Sequence, residues 1–249
     1  MKFVPVSKWC RSRRWTRCCG RRSSHAGARH AAGKDSLPAR AAFTSPEGPP
    51  VLIRSVEFAG SVVTPGQTLP SSLPQIAFAG RSNVGKSSLI NRLLGRPRRK
   101  IARVSASPGK TQALNFYEVN RSFHLVDLPG SGYARAPREV RDAWRILVRW
   151  YLAESTGLRG VLYLVDSRHP PTAGDLEFVG HLADTGTPTL IALTKVDKLK
   201  SRVREAGIVE PAARKLGVSE EQVVESSART GEGADQLLAA MEALLEEES

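Results

Sequence analysis

From residue 75 onward, short apolar runs alternate with longer amphipathic ones. Gln75–Ala79, Gly160–Val165, Thr189–Leu193 and Gln222–Glu225 are brief, mostly apolar and bounded by turn residues, the pattern of strands buried on both faces. Between and after them, Leu89–Leu94, Val140–Leu152, Thr172–Ala183, Val203–Leu216 and Ala234–Glu247 carry apolar residues at helical spacing. Gly95 closes the first of these, and Gly207 and Pro211 predict a break in the fourth. Ala113–Val119 and Ser122–Asp127 read as two strands joined by a short turn at Asn120-Arg121. Alternation at this spacing predicts an α/β fold: a doubly wound, mostly parallel sheet of six strands with one antiparallel strand. Val51–Ile53 and Val56–Phe58 read as extended, and Pro65, Pro70 and Pro74 punctuate a loop before the first core strand.

Composition changes the picture mainly at the N-terminus. The chain of 249 residues carries a formal charge of +13, which suggests a nucleic-acid partner. Residues 1–40 hold eleven Lys or Arg against the single acid Asp35, whereas residues 41–249 hold 26 bases and 23 acids. The excess therefore lies in an Arg-, Ser-, Gly- and Ala-rich segment without apolar periodicity. Residues 1–50 are expected to be a disordered basic extension and residues 51–249 a globular domain. A basic arm for RNA, a transit peptide and an upstream extension absent from the working protein all fit this composition. All three cysteines, Cys10, Cys18 and Cys19, lie in that extension, at spacings that match neither a zinc site nor a disulfide framework. The cysteine-free remainder suits a reducing compartment, so a cytoplasmic protein is expected, or an organellar one if the extension is a transit peptide. No run reaches the length of a membrane span, and no membrane partner is expected.

The segment between the first strand and the first helix carries the chemistry. Gly80-Arg81-Ser82-Asn83-Val84-Gly85-Lys86-Ser87-Ser88 fits G-x-x-x-x-G-K-[ST], a loop that wraps polyphosphate with backbone N–H groups at a helix N-terminus. Glycines at 80 and 85 permit close backbone approach, Lys86 supplies a cation for the terminal phosphates, and the Ser87 hydroxyl is the expected Mg²⁺ ligand. Asp127-Leu128-Pro129-Gly130 falls 40 residues after Ser87 at the tip of a strand. There Asp127 is placed to serve Mg²⁺, directly or through water, and the Gly130 N–H to sense a γ-phosphate.

Two further strand ends select a base. Thr194-Lys195-Val196-Asp197 ends one strand and Ser226-Ser227-Ala228 the next. One carboxylate, Asp197, accepts both the N1–H and the 2-amino group of guanine, a pair that adenine lacks. The stem of Lys195 can cover the ring face, and the Ala228 N–H can donate to O6. GTP and GDP are the expected ligands.

With these motifs in place, residues 51–249 resemble the EngB (YihA/YsxC-type) family of bacterial GTPases linked to assembly of the large ribosomal subunit. The likeness rests on the loop from Gly80 to Asn91, on Pro108-Gly109-Lys110-Thr111-Gln112, on Asp127–Gly130 with Gly132-Tyr133-Ala134, on Asp166-x-Arg168-His169 and on Thr194–Lys198. It implies a P-loop GTPase fold, GTP hydrolysis assisted by Lys86, Thr111 and Gly130, a nucleotide contact from Pro108 to Thr111, and Thr111 as the switch threonine that closes on Mg²⁺. It also makes Asn83 a candidate K⁺ ligand, against the alternative that Asn83 is a polar loop residue suited to αL geometry. One position departs from the family pattern: residue 131 is Ser where Tyr is usual. Ras-like GTPases place a water-orienting Gln there, and Ser131 is too short for that role, so slow intrinsic hydrolysis is expected.

The predicted helix after this turn bears Arg138, Arg141, Arg145 and Arg149 on one face, with Val140, Trp144, Leu147 and Tyr151 opposite. Together with Arg96, Arg98, Arg99, Lys100 and Arg103, that face is a candidate contact for ribosomal RNA; a solvated charged face is the plainer alternative. A monomer is expected. The five histidines form no metal-binding spacing.

Overall fold

The computed structural model describes residues 53–70, 72–95, 113–130 and 137–246. The basic extension, the segment Pro108–Thr111, the Arg96–Arg103 cluster and Ser131 lie outside these residues.

Among the described residues seven strands form one sheet in the order β1-β3-β4-β2-β5-β6-β7. They are β1 (Val56–Val62), β2 (Gln75–Gly80), β3 (Leu114–Val119), β4 (Phe123–Asp127), β5 (Leu158–Asp166), β6 (Thr189–Thr194) and β7 (Val223–Glu225). Among the described strands only β3 runs against the rest, pairing antiparallel with β1 and β4, while β4, β2, β5, β6 and β7 are parallel to one another. The one antiparallel strand is thus as expected, but the sheet has seven strands, not six. The extra strand is the segment read only as extended: residues 56–62 pair with β3 through a register shift between Phe58 and Gly60. Such a bulge disrupts the period-2 pattern by which a strand is recognised.

Alternation along the central strands feeds two cores. Ala77, Ala79, Val161, Tyr163 and Val165 face the side covered by α2 (Arg138–Glu154), α3 (Ala173–Asp184) and α5 (Val209–Leu216). Ile76, Phe78, Leu162 and Leu164 face the side covered by α1 (Lys86–Leu93) and α6 (Ala234–Glu246). Burial on both faces explains why these strands read as unbroken apolar runs. The three-residue connection from Asn120 to Ser122 holds Asn120 and Arg121 at φ 53° and 56°, within a turn closed by the Ser122 N–H on the Val119 carbonyl at 3.0 Å. The Asn120 carboxamide oxygen accepts from the N–H groups of Arg54 and Ser55 at 2.8 and 3.1 Å, tying the chain before β1 to this turn.

Helix boundaries differ from the sequence reading in two instructive places. Helix α1 begins at Lys86, three residues earlier than its apolar pattern, because polar residues of a phosphate loop form its first turn. The break in the fourth helical segment falls at Gly207 alone, between α4 (Ser201–Glu205) and α5. Pro211 sits in the first turn of α5, where its missing N–H would have had no intrahelical partner.

Because five strands are parallel, their carboxyl ends share one rim. The loop after Gly80 lies there, beside Asp127, Asp166, Thr194 and the chain after Glu225. Such a rim is where ligands bind in open α/β sheets.

A candidate nucleotide site at the carboxyl rim of the sheet

The loop from Gly80 to Ser88 leaves β2 and turns into α1 with Gly85 at φ 103° as the N-cap. At Gly80 the backbone has φ 149°, and a Cβ there would come within 2.7 Å of the Leu164 carbonyl oxygen on β5. Glycine is thus required at 80 by both conformation and space. Arg81, Asn83 and Ser88 are exposed, Val84 is buried, and Ser82, Lys86 and Ser87 are partly covered. Asn83 adopts φ 65°, the αL geometry that an Asn tolerates. Its backbone fits the alternative reading, and its side chain remains exposed on the loop.

The Asp127 carboxylate at the tip of β4 is buried and bonded to the Lys86 ammonium. Burial pushes the Lys86 amine down to about 7 from 10.5, against the pull of the adjacent carboxylate. Leu128 continues the rim by donating its N–H to the Phe78 carbonyl at 3.0 Å. Gly130 then packs against the phosphate loop: a Cβ on it would meet Ser82 N and Cα at 3.1 Å. The Pro129 carbonyl, between them, accepts from Trp144 Nε1–H of α2 at 2.9 Å.

The two segments expected to select a base converge on the same loop. Thr194 Oγ1 donates to the Val84 carbonyl at 2.6 Å. Lys195, in αL geometry at φ 63°, extends its ammonium to the Asn83 carbonyl and to the Asp166 carboxylate, the latter at 2.8 Å. Burial tends to raise the Asp166 carboxyl, but hydrogen bonds from Arg168 and Lys195 outweigh it and hold the group well below the usual carboxylate range. Arg168 grips Asp166 with Nε and Nη2 at 2.9 and 2.7 Å, so the Asp166-x-Arg168 pair fixes the reach of Lys195. Val196 is buried beneath this turn.

Asp197 accepts from Ser227 Oγ at 2.6 Å and from Arg229 Nε at 2.8 Å. The Ser227 hydrogen bond above all, and then Arg229, keep its carboxyl below the ordinary value despite burial. Ser226 and Ser227 are buried, and Ser226 N–H is anchored on the Leu193 carbonyl at 2.8 Å. A cavity of about 370 Å³ opens between these loops, lined by Gly85, Ser88, Lys195, Asp197, Ala228 and Arg229 among others. Its volume and its mix of backbone, carboxylate and aliphatic walls suit a purine nucleoside.

Of the residues singled out in the sequence, those from Gly80–Ser88, Asp127–Gly130, Thr194–Asp197 and Ser226–Ala228 are brought together at this rim. Pro108, Gly109, Lys110 and Thr111 fall outside the described residues. Sequence reasoning missed the ties made by Asp166, Trp144, Arg92 and Arg229. For Asp166 the available signal is the Asp166-x-Arg168-His169 element at the end of a predicted strand. Ser87 and Asp127 offer hydroxyl and carboxylate oxygens, the hard donors that Mg²⁺ takes alongside phosphate and water. Among the described residues no group of three or more His, Cys, Asp or Glu could hold a metal ion.

A mixed sheet of this order, with a glycine-lysine phosphate loop and a Thr-Lys-x-Asp turn on one rim, defines a P-loop GTPase domain. A family profile described as "50S ribosome-binding GTPase" matches residues 75–195. A "Probable GTP-binding protein EngB" of Gemmatimonas aurantiaca is 47% identical over 196 residues, covering 78% of this chain and 95% of that protein. Its counterpart in Desulforamulus reducens is 43% identical over 190 residues, covering 75% and 90%. Among solved structures, a "probable GTP-binding protein engB" superimposes with a TM-score of 0.55 at 27% identity, covering 70% of this chain and 99% of that one. The chain belongs to the EngB family of GTP-binding proteins. Among the described residues no helix is long and apolar enough to cross a membrane.

Proposed function

We propose that this protein is a slow, Mg²⁺-dependent GTP hydrolase of the cytoplasm that acts as a switch in assembly of the large ribosomal subunit. The observation that carries the reading is the direct bonding of the base-selecting turn to the phosphate loop, Thr194 to Val84 and Lys195 to Asn83. One ligand that spans guanine and triphosphate would satisfy both segments at once.

In this mechanism Asp197 accepts the guanine N1–H and 2-amino groups, and the Lys195 stem covers the ring. Lys86 leaves Asp127 for the terminal phosphates, which frees the carboxylate to serve the metal together with Ser87 and Thr111. Bound there, Mg²⁺ would offset the charge that develops on the phosphoryl oxygens. Asn83 is the proposed K⁺ ligand. The Gly130 N–H senses the γ-phosphate, and its loss on hydrolysis releases the turn after Pro129. Nothing at Ser131 can orient water as a Gln does, which accounts for slow turnover without a partner.

The output surface in this proposal is the arginine face of α2. Arg138, Arg141, Arg145 and Arg149 are exposed. Asp142 lies 3.7 Å from Arg138 and 3.9 Å from Arg145, and Glu177 lies 4.0 Å from Arg149. These solvent-exposed pairs are weak, so an RNA phosphate can displace them. Arg141→Glu with Arg145→Glu should abolish GTP-dependent co-sedimentation with large subunits while leaving GTP affinity within about twofold. Unchanged sedimentation refutes the assignment. A nucleotide-dependent module for a protein partner is the second reading, favoured by Ile146, 56% exposed on the same helix. Raising salt should weaken RNA binding steeply and an apolar protein interface little.

A further inference from the structure

Arg92, in the last turn of α1, belongs to none of the segments that sequence patterns assign to nucleotide binding. Its guanidinium nevertheless reaches across to the loop after β7, donating from Nε to the Ala228 carbonyl at 2.8 Å and from Nη2 to the Arg229 carbonyl at 2.7 Å. Those two carbonyls lie inside a tight turn closed by the Gly231 N–H donating to the Ser227 carbonyl at 2.8 Å. The Ser227–Ala228 peptide is trans, so fixing the Ser227 carbonyl also fixes the opposite direction of the Ala228 N–H. In the reading proposed above, that N–H is the donor to the 6-position of a purine in the cavity that Ala228 lines.

The two neighbouring residues have their own anchors. Ser226 is bonded to Leu193 of β6, and Ser227 to Asp197 and Glu232. Arg92, from the helix that begins at the phosphate loop, holds the next two peptides, Ala228–Arg229 and Arg229–Thr230, by their carbonyls, and so bears on the Ala228 N–H through the backbone of the turn that the Gly231 N–H closes. A planar guanidinium holds two carbonyls at a set separation, which a lysine ammonium does not do.

Resting on the guanine reading above, we infer that Arg92 is a specificity-determining positioning residue. It sets the Ser227–Gly231 turn so that the Ala228 N–H meets the purine 6-oxo group.

The test uses the full chain and three nucleotides: GTP, 6-thio-GTP, whose sulfur is a weak acceptor, and ITP, which lacks the 2-amino group read by Asp197. Wild type should bind GTP about three- to tenfold tighter than 6-thio-GTP, the range of one hydrogen bond. In Arg92→Gln that preference should shrink to less than about twofold. The preference for GTP over ITP should stay at its wild-type value. Arg92→Lys, which keeps the charge and loses the fork, should fall between, and its retained binding of 6-thio-GTP reports a folded site. A 6-oxo preference unchanged in both variants overturns the inference. So does an equal loss of affinity for all three nucleotides, which would make Arg92 general support for the fold. Failure of wild type itself to distinguish GTP from ITP would instead remove the guanine assignment at Asp197, and the inference with it.

Discussion

Trp144 of α2 donates its indole N–H to the carbonyl of Pro129, 2.9 Å away, immediately before the glycine that abuts the phosphate loop. The ring is half-buried against the core, so this bond links the helix bearing the arginine face to the turn proposed to sense the γ-phosphate. Trp144→Phe keeps most of the apolar surface and removes the donor. We expect a stability loss of about 1 kcal/mol, seen as a lower urea midpoint with an unchanged slope. GTP affinity should hold within about twofold, while the difference in large-subunit association between GTP-analogue and GDP states shrinks.

The Lys86–Asp127 pair predicts a pH dependence with a definite sign. With its amine lowered to about 7, the folded nucleotide-free protein holds fewer protons on Lys86 than the unfolded chain does between pH 7 and 10.5. Stability from this group therefore rises with pH across that window, and Lys86→Met should flatten the slope. Phosphate favours the ammonium, so GTP binding should take up a proton. Affinity is expected to fall above about pH 7, by at most about tenfold per unit, and calorimetry in buffers of different ionisation enthalpy would count the proton.

Gly130 and Gly80 are predicted to fail differently. Gly130→Ala places a methyl 3.1 Å from Ser82 N and Cα, so the turn and the phosphate loop must part by a few tenths of an ångström. GDP affinity should survive within a few fold while single-turnover hydrolysis drops by about tenfold or more, as expected when a γ-phosphate donor is displaced. Gly80→Ala instead combines φ 149° with a 2.7 Å approach to a backbone carbonyl on the neighbouring strand. A global loss of about 2–4 kcal/mol should appear in denaturant unfolding with or without nucleotide.

Asp197 is expected to remain charged through ordinary pH, because Ser227 and Arg229 donate to it. Its contribution to stability is present above the usual carboxylate value of 3.8 and is lost as pH falls through its lower folded value. Asp197→Asn exchanges an acceptor for a donor and should move preference from GTP toward XTP, measured by competition. Arg229 is 74% exposed, so its ion pair is weak. Arg229→Ala should change GTP affinity by less than about threefold.

What the residue order revealed and what it hid have distinct physical causes. The buried strands and the glycine-lysine loop were readable because backbone period and loop chemistry are local properties. The strand at 56–62 was half-seen, since its bulge at Phe58 and Gly60 breaks the alternation. Trp144 appeared only as one more residue on the apolar face of a helix, because a wheel shows which side a ring occupies and not where its N–H points. Arg92 was invisible, since its partners lie 136 and 137 positions away and are main-chain carbonyls, which carry no residue identity. Asp166 stands in the family-like element, but its task, holding the Lys195 ammonium, depends on the pairing of β5 with β6, which sets it opposite Thr194.

The hydroxyl of Thr194 on the Val84 carbonyl has a consequence for how the pocket meets its guest. With that strap already fastened, the spacing between the proposed purine slot and the proposed polyphosphate cradle is a fixed gauge, and capture need not wait for the two halves to find each other. Lengthening or shortening the sugar bridge of a synthetic analogue by a single methylene should therefore be rejected by a rigid ruler, not absorbed by a yielding glove.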